Sequence, residues 1–505
     1  MIPVPLKHWI FLFFVGITVW AYWPSLQHAP KHDQLGFLAD MALRDGAWEK
    51  TAGAYSWNRE RLFMGADQFL FRPILNLFLA GQLLVFGYNF TLWQGMSIFV
   101  HLLVGLSVYR LLNVIRPGLS AAVAAGFFLL MLSNVPMVVW NNIGAYMIFC
   151  VLILESLVRW LKHQRNSDDQ GSLLGCGICL LLACFVFEAG VVYCLCFVFM
   201  SLLTKRSGYC SLLLLTPVII YFTVDIADFL LRSTVFNSEA GRISGQALSF
   251  QTLSNCLIAI KWFFLTGIYL KVSEIIPIER VVVSPLTLNW HWPFTVVNEH
   301  LLRGIIACVI YAFALGLSFR SWSLERRSFL SLLLLMIIGL VVFICLGRVN
   351  SRGLITGLSF NSYYIYLFWV LAIPLAYSCL NLSAIRARKD GRTIGVLVCL
   401  LCGTMVFINA YSIRNANAFV ARLDKPRRVL LDTTTAFVKA RRDEVNFSFF
   451  VPPNYPGNYA GKWLHKAKDP LWRRYTLAEA LYPRFHNKIN PMYVLRSAEG
   501  NISGQ

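Results

Sequence analysis

Hydrophobic stretches of about twenty residues recur along this chain, and they constrain its fold more than any other feature. A helix of about that length crosses the hydrocarbon core of a bilayer. The chain of 505 residues is 57% hydrophobic and 14% charged, whereas soluble domains carry about a quarter charged residues. Because every backbone polar group in a bilayer must be bonded internally, the stretches are expected to be helical. The sequence therefore predicts an all-α polytopic membrane protein.

The spacing of the apolar stretches predicts about eleven transmembrane helices. They are expected at residues 8–24, 92–112, 119–134, 143–160, 172–187, 189–204, 211–230, 302–319, 329–346, 361–380 and 393–411. Two further apolar stretches, 74–86 and 256–269, would each reverse the topology by crossing. We interpret both as interfacial or re-entrant helices. If both cross instead, the chain has about thirteen spans and the C-terminal tail keeps its side.

Short basic loops set the predicted orientation, because cytoplasmic loops of membrane proteins are enriched in Lys and Arg. These loops hold Arg110 and Arg116, Arg159 to Arg165, Lys205 and Arg206, Arg320 to Arg327, and Arg386 to Arg392. The pattern predicts an inner-membrane protein with a cytoplasmic N-terminus and a periplasmic C-terminus. The outer side then receives a first loop at 24–91 with an interfacial helix, a second segment at 231–300, and the loop 347–360.

The last part of the chain has a different composition from the rest. Prolines and basic residues are frequent after residue 412, and short runs such as Asn446–Val451 are typical of strands. We expect a transmembrane module at 1–412 and a small α/β periplasmic domain at 413–505. Its positive charge favours contact with anionic lipids or an anionic glycan. The alternative is a solvated lid that stabilises the outer face.

Several common chemistries are excluded by missing motifs. The sequence has no phosphate-binding G-x-x-x-x-G-K-[ST], no G-x-G-x-x-G after a strand and no H-E-x-x-H. The cytoplasmic loops are too short for a catalytic domain, and we expect no nucleic-acid partner. Any chemistry is therefore predicted on the outer side. Because nucleotide-activated substrates are scarce there, an activated group must arrive on a lipid.

The first outer loop concentrates carboxylates in an otherwise basic protein. It holds Asp33, Asp40, Asp45, Glu49, Glu60 and Asp67, although the chain has 45 Lys and Arg against 25 Asp and Glu. Asp33 follows His32 and precedes Asp40 by seven residues, which places both acids on one face of a short helix. Such a carboxylate serves as a general base or binds a divalent cation, Mg²⁺ or Mn²⁺, beside a departing phosphate. The alternative is a solvated loop face.

Three further places carry charge near the outer side. Arg72 opens the interfacial helix, where it is expected to bind a phosphate or a carboxylate of the same loop, or to be structural. Glu188 lies in a hairpin between two spans, where it is either functional or a helix cap. Arg348 and Arg352 in the loop 347–360 are expected to bind a donor phosphate or to anchor headgroups.

The order and sidedness of these features resemble the GT-C glycosyltransferases, and most closely the protein O-mannosyltransferase-like branch with its bacterial relatives. The resemblance covers roughly residues 1–412. It rests on an acid shortly after the first span (Asp33) and on the aromatic-Arg-Pro sequence Phe71-Arg72-Pro73. The mid-chain hairpin shows Phe187-Glu188 where a Lys-Glu pair is usual. The late outer loop ends in Ser362-Tyr363-Tyr364 where Arg-Tyr is usual.

The resemblance implies an inverting transferase that moves a sugar from a polyprenyl phosphate to an extracytoplasmic acceptor. It assigns catalysis to Asp33, with Asp40 as a second candidate, and donor-phosphate binding to Arg72, Arg348, Arg352 and Tyr363. His32 and Glu188 are further site candidates. Two alternatives stay open from the sequence: an O-antigen ligase or polymerase, and a lipid or glycan transporter or flippase.

Overall fold

The computed structural model describes seven main stretches of the chain, at residues 6–29, 72–87, 89–204, 208–236, 324–344, 363–379 and 406–422. It also describes residues 403, 424, 425 and 428 and the pairs 449–450 and 503–504. The predicted interfacial helix at 256–269 and the predicted span at 302–319 lie outside the described residues, as does most of the predicted tail domain.

The described chain is helical almost throughout. The helices are α1 Leu6–Tyr22, α2 Pro73–Phe86, α3 Phe90–Ile115, α4 Leu119–Leu129, α5 Val135–Val139, α6 Ala145–Arg165, α7 Gln170–Val186, α8 Ala189–Leu203, α9 Gly208–Phe236, α10 Leu324–Ile344, α11 Tyr363–Cys379 and α12 at 406–422. Short 3₁₀ turns cover Trp23–Gln27, Leu132–Asn134 and Asn141–Ile143. Helices are therefore confirmed at nine of the predicted spans that the description reaches, and at the predicted interfacial segment 74–86.

Length and apolar composition identify the helices able to cross a membrane. In the described part of the chain they are Leu6–Gln27, Phe90–Ile115 and Glu325–Ile344, and the broken pair α4 and α5 makes a fourth. Shorter apolar helices complete the bundle: α8 and α11 pack against α10, and α7 packs against α8. The chain is a helical membrane protein.

One predicted span, 119–134, is broken rather than straight. Helix α4 ends at Leu129, Met131 is extended, and α5 leaves at 52° to α4. Pro136 cannot donate a backbone hydrogen bond, and its ring clashes with the carbonyl four residues earlier in a helix. The Asn134 side chain donates instead to the Phe128 carbonyl, which satisfies one of the carbonyls freed at the break.

The described residues of the predicted basic loops lie at one end of the bundle, which we call the basic end. Arg165, the last residue of α6, pairs with Glu325 at the start of α10 at 2.8 Å. Arg116 after α3 lies 4.9 Å from the ring centroid of Tyr377 near the end of α11, and the Tyr377 hydroxyl donates to its carbonyl at 2.9 Å. Because neighbouring helices alternate in direction, the C-termini of α1, α7 and α10 reach the opposite end.

The start of α7 shows how the basic end is ordered locally. Asp169 caps this helix by accepting from the backbone N–H of Ser172 at 2.9 Å and from the Ser172 hydroxyl at 2.6 Å. These bonds hold the pKa of the Asp169 carboxyl below its ordinary value. A carboxylate at a helix N-terminus is also favoured by the helix dipole, so the loop before α7 is fixed without burial.

The tail is described at a few positions. Helix α12 runs across residue 412, where the sequence predicts a domain boundary. Phe449–Phe450 form a short strand, β1, which pairs antiparallel with β2 at Ser503–Gly504. The β1 pair lies inside the predicted strand Asn446–Val451. The α/β domain itself stays a prediction.

Candidate active site

Arg72 forms a buried ion pair at the end of the bundle opposite the basic end. It is the residue before α2, which begins at Pro73, a residue suited to a first helical turn. Its Nε donates to the two Glu188 carboxylate oxygens at 2.9 and 3.0 Å, and its Nη2 donates to Oε2 at 2.8 Å. The side chains are 8% and 18% exposed. The pair has the bidentate geometry in which Arg binds a carboxylate most strongly.

Tyr146 and Phe187 enclose the Arg72 guanidinium. Nη1 of Arg72 donates to the Tyr146 hydroxyl, and the guanidinium carbon lies 5.5 Å from the centroid of that ring. The same carbon lies 5.0 Å from the centroid of the fully buried Phe187 ring. Aromatic faces attract a cation within about 6 Å. The two rings and the carboxylate therefore fix the guanidinium plane.

Glu188 is presented by the tight hairpin between α7 and α8. It occupies the N-cap position of α8, yet its side chain makes no cap hydrogen bond and turns to Arg72. The hairpin is close because residue 190 is glycine. A Cβ at Gly190 would meet the Cys184 nitrogen at 2.6 Å and the Cys184 Cα at 2.8 Å. Because Gly190 has no side chain, α8 can approach the end of α7 closely. This close approach places Glu188 beside Arg72.

Phe187 is the centre of an aromatic cluster that joins several helices. Its ring centroid lies 4.9 Å from that of Tyr146, 5.5 Å from that of Phe343 near the end of α10, and 6.3 Å from that of Tyr364 in the first turn of α11. The chain between α10 and α11 carries Arg348 and Arg352. Both ends of that segment therefore lie close to the Phe187 ring, against which Arg72 also packs.

The structure brings together some of the predicted site residues. Arg72 and Glu188 are in direct contact, and Tyr363 is the first residue of α11. Glu188, a carboxylate partner of Arg72, comes from the α7–α8 hairpin, and the sequence did not suggest this contact. The remaining candidates, His32, Asp33, Asp40, Arg348 and Arg352, lie outside the described residues.

Tyr146 is a site residue that sequence reasoning missed. It lies in the first turn of α6 inside an apolar run, and nothing in its spacing marks it. A weak signal is its position two residues after Gly144, next to the polar pair Asn141 and Asn142. Only the fold shows that this turn faces Arg72.

His101, a polar residue in the middle of α3, makes hydrogen bonds between helices. Its Nε2 donates to the Leu129 carbonyl at 3.0 Å, and its Nδ1 accepts from the Tyr366 hydroxyl at 2.8 Å. Leu129 is the last residue of α4, so His101 satisfies a helix-end carbonyl beside the break. Both ring nitrogens are occupied by protein partners.

A divalent cation was predicted only in connection with Asp33. Within the described ranges, no group of three or more His, Cys, Asp or Glu side chains is arranged to hold a metal ion. The predicted cation at Asp33 concerns residues outside those ranges and stays a prediction.

Sequence comparisons give no assignment for this chain. No family model matches it, and no curated protein matches it.

Solved structures with similar folds are found at low identity. ArnT from Cupriavidus metallidurans in the apo state is 14% identical, with a TM-score of 0.49, and the match covers 93% of this chain and 84% of that one. The same protein bound to undecaprenyl phosphate gives 14% identity and a TM-score of 0.44 over 96% and 78% of the two chains.

An archaeal structure gives similar values. The oligosaccharyltransferase AglB from Archaeoglobus fulgidus, in complex with an inhibitory peptide and a dolichol-phosphate, is 13% identical with a TM-score of 0.44. The match covers 97% of this chain and 65% of AglB, so this chain spans about two thirds of that protein's length. An oligosaccharyltransferase and proteins holding polyprenyl phosphates are thus among the similar structures.

Proposed function

We propose that this protein is an inner-membrane glycosyltransferase that moves a hexosyl or pentosyl group from a polyprenyl phosphate to an extracytoplasmic acceptor. The acceptor is a glycan, a lipid or a protein. The similar structures hold undecaprenyl phosphate in one case and dolichol phosphate in another, which are carriers of the class proposed here.

The observation that carries the proposal is the convergence at Phe187 and Glu188. The part of the first outer loop that holds the carboxylates from Asp33 to Asp67, which we call the acidic segment, leads to Arg72. Arg72 contacts both Phe187 and Glu188. The segment with Arg348 and Arg352 leaves α10 just after Phe343 and enters α11 just before Tyr364, and both of these rings pack on Phe187. The two polar segments that carry the predicted base and the predicted phosphate-binding arginines are thus tethered to one buried cluster.

The proposed reaction is a single displacement at the anomeric carbon. Asp33 takes the proton of the acceptor hydroxyl, whose oxygen forms the new bond to the anomeric carbon. The bond between that carbon and the phosphate oxygen breaks, and the polyprenyl phosphate leaves with the electron pair. Attack opposite the leaving group inverts the configuration of the sugar.

Arg348 and Arg352 are the proposed partners of the leaving phosphate, with Tyr363 at the end of the same segment. Positive charge at this position stabilises the negative charge that develops as the phosphate departs. A divalent cation bound by Asp33 would supply the same stabilisation.

Arg72 has a different proposed role because its charge is balanced by Glu188. A phosphate at Arg72 would compete with a carboxylate that already makes three short contacts. We assign Arg72 and Glu188 to positioning the end of the acidic segment against the aromatic cluster. We further propose that the positively charged tail after residue 412 binds anionic lipid headgroups.

Mass spectrometry of surface glycans in a deletion strain tests the function. The strain should lack one sugar on an envelope glycan, lipid or protein, and the wild-type gene should restore it. A gene encoding Asp33→Asn should not restore it at equal protein level. An unchanged set of envelope glycans in the deletion strain would contradict the proposal. Restoration by Asp33→Asn would contradict the assigned base.

A further inference from the structure

The peptide group between His28 and Ala29 is held on both sides by charged side chains from the C-terminal segment. The backbone N–H of Ala29 donates to an Asp424 carboxylate oxygen at 3.2 Å. The carbonyl of His28 accepts from Nη1 of Arg428 at 3.1 Å. A carboxylate on the N–H and a guanidinium on the carbonyl match the two ends of the peptide dipole, and both bonds are charge-assisted.

The side chain of His28 adds a third connection to the same segment. Its Nε2 bonds the backbone carbonyl of Asn417 in α12 at 3.0 Å. Because a carbonyl oxygen only accepts, Nε2 carries the proton. His28 and Asp424 are both buried, with 3% and 2% of their surfaces exposed. These bonds are therefore shielded from water. A hydrogen bond is electrostatically stronger in such a low-dielectric interior than in water.

Arg428 also connects this point to the rest of the bundle. Its Nη2 donates to the Thr91 hydroxyl at 2.9 Å, at the start of α3. Its guanidinium carbon lies 5.8 Å from the centroid of the Phe90 ring. The peptide group is thus fixed relative to α3 and α12 as well as to α1, from which it continues.

We propose that Asp424 and Arg428 are positioning residues for the acidic segment, because they fix the direction in which the chain leaves the bundle toward Asp33. Asp33 lies four residues beyond Ala29, so it is within about 14 Å of the held peptide group even in a fully extended chain. This inference rests on the proposed function for its catalytic meaning, but the anchoring is testable without it.

Hydrogen–deuterium exchange on the full-length protein in lipid nanodiscs tests the anchoring. Asp424→Ala and Arg428→Ala should each speed exchange in peptides covering 30–40 by about tenfold or more, the effect of losing one buried charge-assisted bond. Asp424→Asn keeps an oxygen acceptor and should give a smaller effect. Exchange in α6 and α7 should not change, which excludes global unfolding.

Arg414→Ala is the matched control. Arg414 lies on α12, is more exposed, and donates to the Trp20 carbonyl at 2.8 Å while its guanidinium carbon lies 4.6 Å from the centroid of the Trp20 ring. It joins the same two parts of the chain without touching residues 28 and 29. Its loss should leave exchange at 30–40 unchanged. Equal exchange at 30–40 in all three alanine variants and the wild type would overturn the anchoring.

A kinetic measurement separates this inference from the function on which it rests. The probe is the fraction of sugar-linked polyprenyl phosphate extracted from deletion-strain membranes, added to purified variants with membranes of that strain as acceptor. Asp424→Ala and Arg428→Ala should lower kcat at least tenfold and leave the KM for the lipid fraction within twofold, because the base is misplaced and the donor contacts are intact. Arg414→Ala should keep the wild-type kcat.

The possible outcomes distinguish two failures. Faster exchange at 30–40 in both variants together with no sugar transfer by the wild-type enzyme would leave the anchoring standing and overturn the proposed function. An inactive Asp33→Asn enzyme together with wild-type kcat in both Asp424→Ala and Arg428→Ala would keep the function and overturn the positioning role.

Discussion

At the residue scale, the pair of Arg72 and Glu188 organises the site. Its two charges neutralise each other where the side chains are largely removed from water. Removing one partner of a buried pair leaves an uncompensated charge, which is more costly than losing the pair as a unit. The Lys that the resemblance would place before Glu188 is Phe187 in this chain, and Arg72 supplies the cation beside Glu188 instead.

The variant Arg72→Met should lower the free energy of unfolding by about 1–3 kcal/mol, because the partly buried Glu188 carboxylate then loses its partner. The double variant Arg72→Met, Glu188→Met should be more stable than Arg72→Met alone. Thermal unfolding in detergent measures both. Arg165→Ala is the control, since its pair with Glu325 is 45% and 38% exposed and its loss should cost about 1 kcal/mol or less. Equal losses in Arg72→Met and Arg165→Ala would contradict this account.

The sequence marked Arg72 and Glu188 as candidates but did not predict their contact, for a physical reason. Charge within an apolar chain marked Arg72 and Glu188, since burying charge is costly without a function or a partner. Their contact joins residues 116 positions apart, so only the fold reveals it. Tyr146 carried only a weak signal, because a tyrosine in an apolar helix is equally consistent with packing.

At the element scale, the helices follow from hydrophobic length, and their breaks follow from local chemistry. Helices α3, α6 and α10 lie where about twenty apolar residues predict spans. Hydropathy does not register the break after Leu129, because Met131 and Pro136 are as apolar as their neighbours. Pro136 lies two residues beyond the predicted span 119–134, and its ring would clash with the Leu132 carbonyl, so it was the available signal that a straight helix does not continue past this span.

The hairpin of α7 and α8 gives an element-scale prediction. Gly190→Ala should separate the two helices, because the added Cβ would meet backbone atoms of Cys184 and Ala183 that cannot move aside. The displaced Glu188 should lose its contact with Arg72, so both thermal stability and transferase activity should fall. Gly16→Ala is the control, since nothing lies within 4 Å of that position. Wild-type stability in Gly190→Ala would show that the close approach is unimportant.

At the scale of the whole molecule, the charged contacts of the described residues lie at the two ends of the bundle. Those of Arg165 and Arg116 lie at the basic end, while those of Arg72, Glu188 and Arg428 lie at the other. This agrees with the sidedness predicted from Lys and Arg placement. The direction in the membrane, with the basic end in the cytoplasm, stays a prediction.

Reporter fusions test that direction. Alkaline phosphatase, which folds only outside the cytoplasm, should be inactive when fused after Ser167 at the basic end and active when fused after Glu188 at the site end. A green fluorescent protein fusion should give the reverse pattern, and equal expression of the two fusions is the control. Phosphatase activity at Ser167 and none at Glu188 would invert the orientation and place the proposed site in the cytoplasm.

The central claim is that Asp33 is the base of a sugar transfer from a polyprenyl phosphate. The direct measurement is sugar transfer in vitro by purified wild-type, Asp33→Asn and Asp45→Asn proteins, with the lipid fraction from deletion-strain membranes as donor. The account predicts a loss of kcat of about 10²–10⁴-fold in Asp33→Asn, the usual contribution of a general base. Asp45→Asn removes the same charge from the same segment and should keep the wild-type rate. Wild-type turnover by correctly folded Asp33→Asn would contradict the account.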